Sequence, residues 1–153
     1  MIEKILVALD GSEPSQRALD YAVDFAEKGG AELTLLAVVP RVMLPIFPDE
    51  GFGATPIAAA KDFCQYQERM RTVYQNVLTE AEAKVRREHP DVKVTTRLEE
   101  GRPSATIVAT AEDEGIDLIV IGSRGIGGIT GWILGSTSRR VVDSCTKPIL
   151  IVK

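Results

Sequence analysis

A chain of 153 residues with 44% hydrophobic and 26% charged side chains has the length and composition of one globular domain with a proper core. Its net charge of −4 and pI near 5.1 exclude a nucleic-acid binder, because no basic stripe is available to displace counterions from phosphates. No apolar run approaches the roughly 20 residues that cross a bilayer. "MIEKILVALD" is too short and too soon interrupted by acid for a signal peptide, and Cys64 and Cys145 make no CxxC pair or dense disulfide framework. The expectation is a cytoplasmic protein with no membrane partner.

Along the chain, strands and helices alternate. "KILVALD" (4–10) predicts a first strand, ending at Asp10-Gly11-Ser12. A helix follows with Ala18, Tyr21, Ala22, Phe25 and Ala26 spaced to share one face, and Gly29 and Gly30 stop it. "AELTLLAVV" (31–39) is a second strand. Residues 40–57 carry four prolines and predict a long irregular excursion. A long helix is expected from about Ala58 to Glu88, its stripe being Phe63, Tyr66, Met70, Val73, Val77, Ala81 and Val85. Then come a strand at 91–99, a helix in "SATIVATAEDEG", a strand at 117–122, a helix near 135–145 and a closing strand in "KPILIVK". Strands separated by helical crossovers mean an α/β fold with an open five-stranded parallel sheet.

Strand texture orders the sheet. "ILVAL", "LTLLAVV" and "LIVI" are nearly continuous apolar runs, as suits strands covered on both faces. The third strand alternates, with Val92, Val94, Thr96 and Leu98 against Lys93, Thr95, Arg97 and Glu99, which suits an edge. Right-handed crossovers then put the third strand outermost on one side and the fifth on the other. An edge reading Ile149-Leu150-Ile151-Val152 invites pairing with another chain, so a twofold homodimer on that edge is expected. The alternative is that Lys147, Pro148 and Lys153 guard the edge.

"GSRGIGGITGWILGS" (122–136) holds six of the thirteen glycines, although each costs roughly 0.5–1 kcal/mol relative to alanine inside a regular element. The loop leaves the fourth strand beside Asp10, where the sheet reverses its direction of growth. Open parallel sheets bind ligands at such a point, outside the carboxyl ends of their strands. Gly135-Ser136-Thr137 opens the next helix, whose first amides and dipole favour a phosphate. Two familiar phosphate motifs fail. Gly122 and Gly127 have P-loop spacing, but Gly128 stands where the lysine belongs. Gly125 and Gly127 are followed by Thr130 instead of the third glycine of the dinucleotide fingerprint, and the second strand ends in Pro40 with no acid for a ribose.

A different pattern fits. Gly122-x2-Gly125-x9-Gly135-Ser136 resembles the G-2x-G-9x-G-(S/T) nucleotide motif of the universal stress protein (UspA) family, in its ATP-binding branch. "KILVALDGSEPSQRALDYA", "GRPSATIVATAEDEGIDLIVIGSRG" and "KPILIVK" are similar to that family's first strand and helix, its third helix and fourth strand, and its closing strand. The resemblance spans the chain and is loosest at 40–70. It implies a flavodoxin-like, Rossmann-like sheet of order 3-2-1-4-5, helices on both faces, ATP at the switch point, and dimers through the fifth strand. It further implies that Asp10 contacts the ribose or a metal-bound triphosphate and that the main chain of Val38 reads the adenine edge. Gly122 and Gly125 would lie under ribose and phosphates. Gly135, Ser136 and Thr137 would cradle phosphate, and Arg124 could reach it.

Plainer readings stand beside these. Asp10 before Gly-Ser could cap a helix or form a turn. Trp132 and Ile133 suit packing better than stacking on a ligand, and His89 reads as a solvated helix-end residue. Arg139 and Arg140 suit solvent or the partner chain better than phosphate, and Glu99, Glu100 and Glu112-Asp113-Glu114 read as solvated charge. One histidine excludes a His–His metal site. Phosphoryl transfer needs a metal, a positioned nucleophile and positive charge; Asp10 and Arg124 are the candidates, with no evident lysine or general base. The reading is a regulatory or stress-response protein that binds ATP, with Mg2+ by default, and hydrolyses it weakly or not at all. A slow ATPase or phosphotransferase, and a nucleotide-free dimeric scaffold, are the alternatives.

Overall fold

The computed structural model describes residues 1–41, 57–126 and 133–153. Five strands and four helices alternate in it: β1 (Lys4–Ala8), α1 (Glu13–Gly29), β2 (Glu32–Pro40), α2 (Ile57–Glu88), β3 (Val94–Gly101), α3 (Pro103–Asp113), β4 (Leu118–Gly122), α4 (Ser136–Ser144) and β5 (Ile149–Val152). The strands form one parallel sheet of order β3-β2-β1-β4-β5, with β3 and β5 at the edges. Most of the proline-rich excursion and Trp132 lie outside the described residues; Pro40 closes β2 and Ile57 opens α2.

Alternation along the central strands divides their side chains between two layers. Ile5, Val7, Leu33, Leu35, Leu118 and Val120 turn towards α1 and α2, whereas Leu6, Leu36, Ile119 and Ile121 turn towards α3 and α4. Continuous apolar texture thus reflects cover on both faces. At the start of α1, Ser12 is the N-cap and accepts a hydrogen bond from the Ser15 amide, with Pro14 in the first turn. Gly30 ends the helix at φ 68°, a left-handed conformation in which its amide donates to the Ala26 carbonyl.

Two helices sit rotated from the faces that spacing predicts. In α1 the buried residues are Ser15, Ala18, Leu19, Ala22, Val23 and Ala26, while Tyr21 and Phe25 are 55% and 46% exposed. The three alanines let the helix close on the sheet, Leu19 and Val23 fill the space beside them, and the bulkier rings stay outside. In α2 the buried line is Tyr74, Leu78, Ala81 and Val85, and Tyr66 and Val73 are about half exposed. A stripe drawn at the seven-residue spacing drifts off one face of a 3.6-residue helix. That drift moves the buried position from Val73 to Tyr74.

The acidic residues near β3 are more engaged than solvated charge. Arg97 pairs with Glu99 and Glu114, and Arg71 pairs with Glu100 at 2.5 Å. His89 is also partly buried, its Nδ1 3.2 Å from a Glu27 carboxylate oxygen. Arg139 and Arg140 are exposed. Substituting Leu78 by alanine should lower the unfolding free energy by about 2–5 kcal/mol. Val73→Ala should change it by under about 0.5 kcal/mol. Urea denaturation of the two variants decides which face of α2 is inside.

Candidate functional site

A cleft of about 430 Å³ opens at the carboxyl ends of β1, β2 and β4, where the chain departs to opposite sides of β1. All eight residues singled out from the sequence line it: Asp10, Val38, Gly122, Arg124, Gly125, Gly135, Ser136 and Thr137. Leu36, Val38, Ile107 and Ile121 also line it and belong to the α3/α4 layer of the core, so apolar wall stands beside the polar groups.

The α4 end is built for negative charge. Gly135 occupies the N-cap position and no side chain caps the helix. The first helical bond runs from the Arg139 amide to the Gly135 carbonyl, 3.0 Å, so the amides of Ser136, Thr137 and Ser138 have no acceptor within α4. Their partial positive charge adds to that of the helix dipole. The start of the helix is held from behind: the Gly135 amide donates to the Ser123 carbonyl at 2.7 Å, and the buried Ser138 hydroxyl lies 2.9 Å from the same oxygen.

Asp10 does two things at once. Its Oδ1 accepts from the Ser12 amide at 2.9 Å, which fixes the turn into α1, while Ser12 supplies the cap. The turn reading therefore holds for one carboxylate oxygen and the cap reading does not. Oδ2 lies at the cleft, 2.7 Å from where a side-chain carbon at position 125 would stand.

Three glycines prove necessary for close approach and not for unusual backbone angles, since the positive-φ glycines among the described residues are Gly11, Gly30, Gly101 and Gly115. A Cβ at Gly122 would stand 2.8 Å from the Pro14 carbonyl carbon and 2.9 Å from the Ser15 nitrogen. Gly122 thus lets α1 begin against the end of β4, a packing reason that the motif alone hides. Gly125 makes room for the Asp10 carboxylate, and at Gly135 a Cβ would crowd the Arg124 Cα at 3.2 Å and the Ser123 oxygen at 3.3 Å.

Sequence reasoning missed Ser15, Ser138 and Tyr74, all of which line the cleft. Ser15 is buried, its Oγ donating to the Ser12 carbonyl at 2.9 Å. In the run Ser136-Thr137-Ser138 nothing marks which hydroxyl turns inward. Tyr74 was obscured by the choice of Val73 for the stripe. Burial, and then the Asp10 carboxylate and Tyr66, push the Tyr74 phenol above its usual pKa.

An open parallel sheet with helices on both faces, and an anion-favouring helix start at its switch point, defines a doubly wound α/β domain with a ligand crevice. The Universal stress protein family model matches residues 1–153, and the chain belongs to that family. Universal stress protein YxiE of Bacillus subtilis strain 168 is 33% identical over 153 residues, the whole of both chains. Universal stress protein UspA from Lactobacillus plantarum has a TM-score of 0.82 to this structure at 24% identity, over 99% of this chain and 98% of that one. A universal stress protein from Archaeoglobus fulgidus, solved in complex with dAMP, matches over 100% of both chains with a TM-score of 0.63 and 24% identity. No helix among the described residues is long and apolar enough to cross a membrane.

Gly122→Ala, which presses a carbon onto backbone, should lower stability by about 1–3 kcal/mol. Gly125→Ala should cost less, because the group it meets is the free end of a side chain. Equal losses in chemical denaturation would contradict this division.

Proposed function

We propose that this protein binds ATP in the cleft and acts as a nucleotide-dependent regulatory or stress-response protein with weak or no hydrolysis. One observation carries the reading: eight residues from four separate stretches of sequence line a single cleft that ends on the uncapped start of α4. A volume near 430 Å³ falls within the roughly 300–1,000 Å³ usual for small-molecule sites.

In this assignment the main chain of Val38 reads the adenine edge. Asp10 meets the ribose or a metal-bound triphosphate, and Gly122 and Gly125 lie beneath ribose and phosphates. Gly135, Ser136 and Thr137 hold phosphate oxygens, joined by Arg124. Among the described residues no group of three or more acidic, histidine or cysteine side chains could hold a metal. Any Mg2+ would therefore take most of its ligands from phosphates and water, with Asp10 as the protein's share. Among the described lining residues Arg124 is the cation and Asp10 the acid. That is a sparse set for phosphoryl transfer, hence the low turnover. The dAMP complex of the family member from Archaeoglobus fulgidus makes adenosine monophosphates natural competitors.

The same reading makes the protein a homodimer through β5. This strand is an edge of the sheet, and Ile149, Leu150 and Ile151 on it are only partly buried. Cys64 and Cys145 are both free, thiols suited to the reducing cytoplasm in which we place the protein.

Magnesium-ATP should bind with measurable heat and should raise unfolding stability by about 2.7 kcal/mol at a hundred times its dissociation constant. Gly125→Val, which displaces the Asp10 carboxylate, should abolish binding while the fold persists. Absence of both heat and thermal protection at millimolar nucleotide would refute the assignment. Turnover above about one per second, the low end of enzyme rates, would make the protein an enzyme instead. Sedimentation at micromolar concentration should give a dimer, and a monomer there would remove the β5 pairing.

A further inference from the structure

Tyr74 reaches the cleft from α2, far in sequence from the glycine loop. Its ring belongs to the core layer under α1 and α2 and the residue is only 8% exposed, yet it lines the cleft. The ring is buried, but the hydroxyl is not a sealed, unpartnered group; the residue lines the cleft, where its hydroxyl can bond to what enters. Burial and the Asp10 carboxylate both disfavour the phenolate, so the group is a standing donor.

Beside it, Asp10 spends Oδ1 on the Ser12 amide and has Oδ2 at the cleft. One wall therefore presents a neutral donor and an anionic acceptor. A phosphate oxygen is repelled by the carboxylate and is better served by the α4 amides. The adenine edge belongs to Val38, at the end of β2. What complements a donor and an acceptor together is a group that both gives and takes hydrogen bonds, and a ribose presents two such hydroxyls on adjacent carbons.

We propose that Tyr74 is a sugar-specificity residue, its hydroxyl donating to a ribose hydroxyl while Asp10 accepts from the vicinal pair. This rests on the nucleotide reading above. It makes the cleft selective for ribonucleotides over nucleotides that lack both hydroxyls.

The experiment is calorimetric titration of the wild-type chain and of Tyr74→Phe with ATP and with 2′,3′-dideoxy-ATP, both with magnesium. Thermal unfolding of each protein checks that the variant is folded. Wild type should prefer ATP, Tyr74→Phe should weaken ATP binding by about fivefold, the worth of one ordinary hydrogen bond, and dideoxy-ATP should bind both proteins alike. Unchanged ATP affinity in Tyr74→Phe would overturn the role of Tyr74 and leave nucleotide binding standing. Equal weakening for both nucleotides would also overturn it, since the hydroxyl would then act on phosphate or on packing. A wild-type chain that binds neither nucleotide would overturn the nucleotide reading, and this inference with it.

Discussion

Ser123, one residue past the end of β4, joins the elements on which the cleft depends. Its carbonyl receives the Gly135 amide at 2.7 Å and lies 2.9 Å from the Ser138 hydroxyl, while its amide donates to the Val152 carbonyl at 2.7 Å. Both Ser123 and Ser138 are buried, where a lost partner leaves a polar group with no water to replace it. The contact closes the glycine loop onto its own beginning. It holds α4 with its first turn against the cleft, so the amides of that turn are oriented before any anion arrives. Preorganisation of this kind spares a ligand the cost of ordering the site.

At the three described glycines of the loop, crowding and not backbone freedom is what requires glycine. The ends of β1 and β4, the first turns of α1 and α4, and the Asp10 carboxylate meet in a few ångströms. At Gly122 the neighbour is the backbone of α1, at Gly125 it is Asp10, and at Gly135 it is the returning loop. Each missing side chain serves a contact within the protein. The cleft exists because the elements around it can approach so closely without filling it.

The strand order and both edges were legible because burial on two faces writes a continuous apolar run, and exposure of one face writes an alternation, as in Val94 to Glu99. Asp10 and the loop from Gly122 to Thr137 were legible because strand ends and glycine spacing are properties of the linear chain, whereas Val38 and Arg124 came from the family resemblance. Helix rotation was not. Tyr21 and Phe25 satisfy helical spacing as well as Leu19 and Val23 do, and only the distance to the sheet selects the smaller set. The same ambiguity hid Tyr74 behind Val73, since adjacent residues on a long helix differ in angle but not in apolar character. Ser138 was hidden for another reason: a hydroxyl's partner across fifteen residues depends on the loop's closure, which no local pattern encodes.

Ser123 also bears on how a cleft and an edge strand can act together. Its carbonyl accepts from the α4 start and its amide donates to β5, so one residue, through two successive peptide planes, joins that turn to the outermost strand. The amide lies in the peptide plane shared with Gly122 and the carbonyl in the plane shared with Arg124, so a change at one bond reaches the other through the two backbone dihedrals of Ser123. β5 is four residues long and pairs with β4 on one side, with Leu150 and Val152 in the core layer under α1 and α2 and Ile149 and Ile151 packed on the α3/α4 layer. The α4 start bears on the Ser123 carbonyl through Gly135 and Ser138, and the Ser123 amide is bonded in turn to Val152. The cleft and the edge strand thus meet at one residue, Ser123.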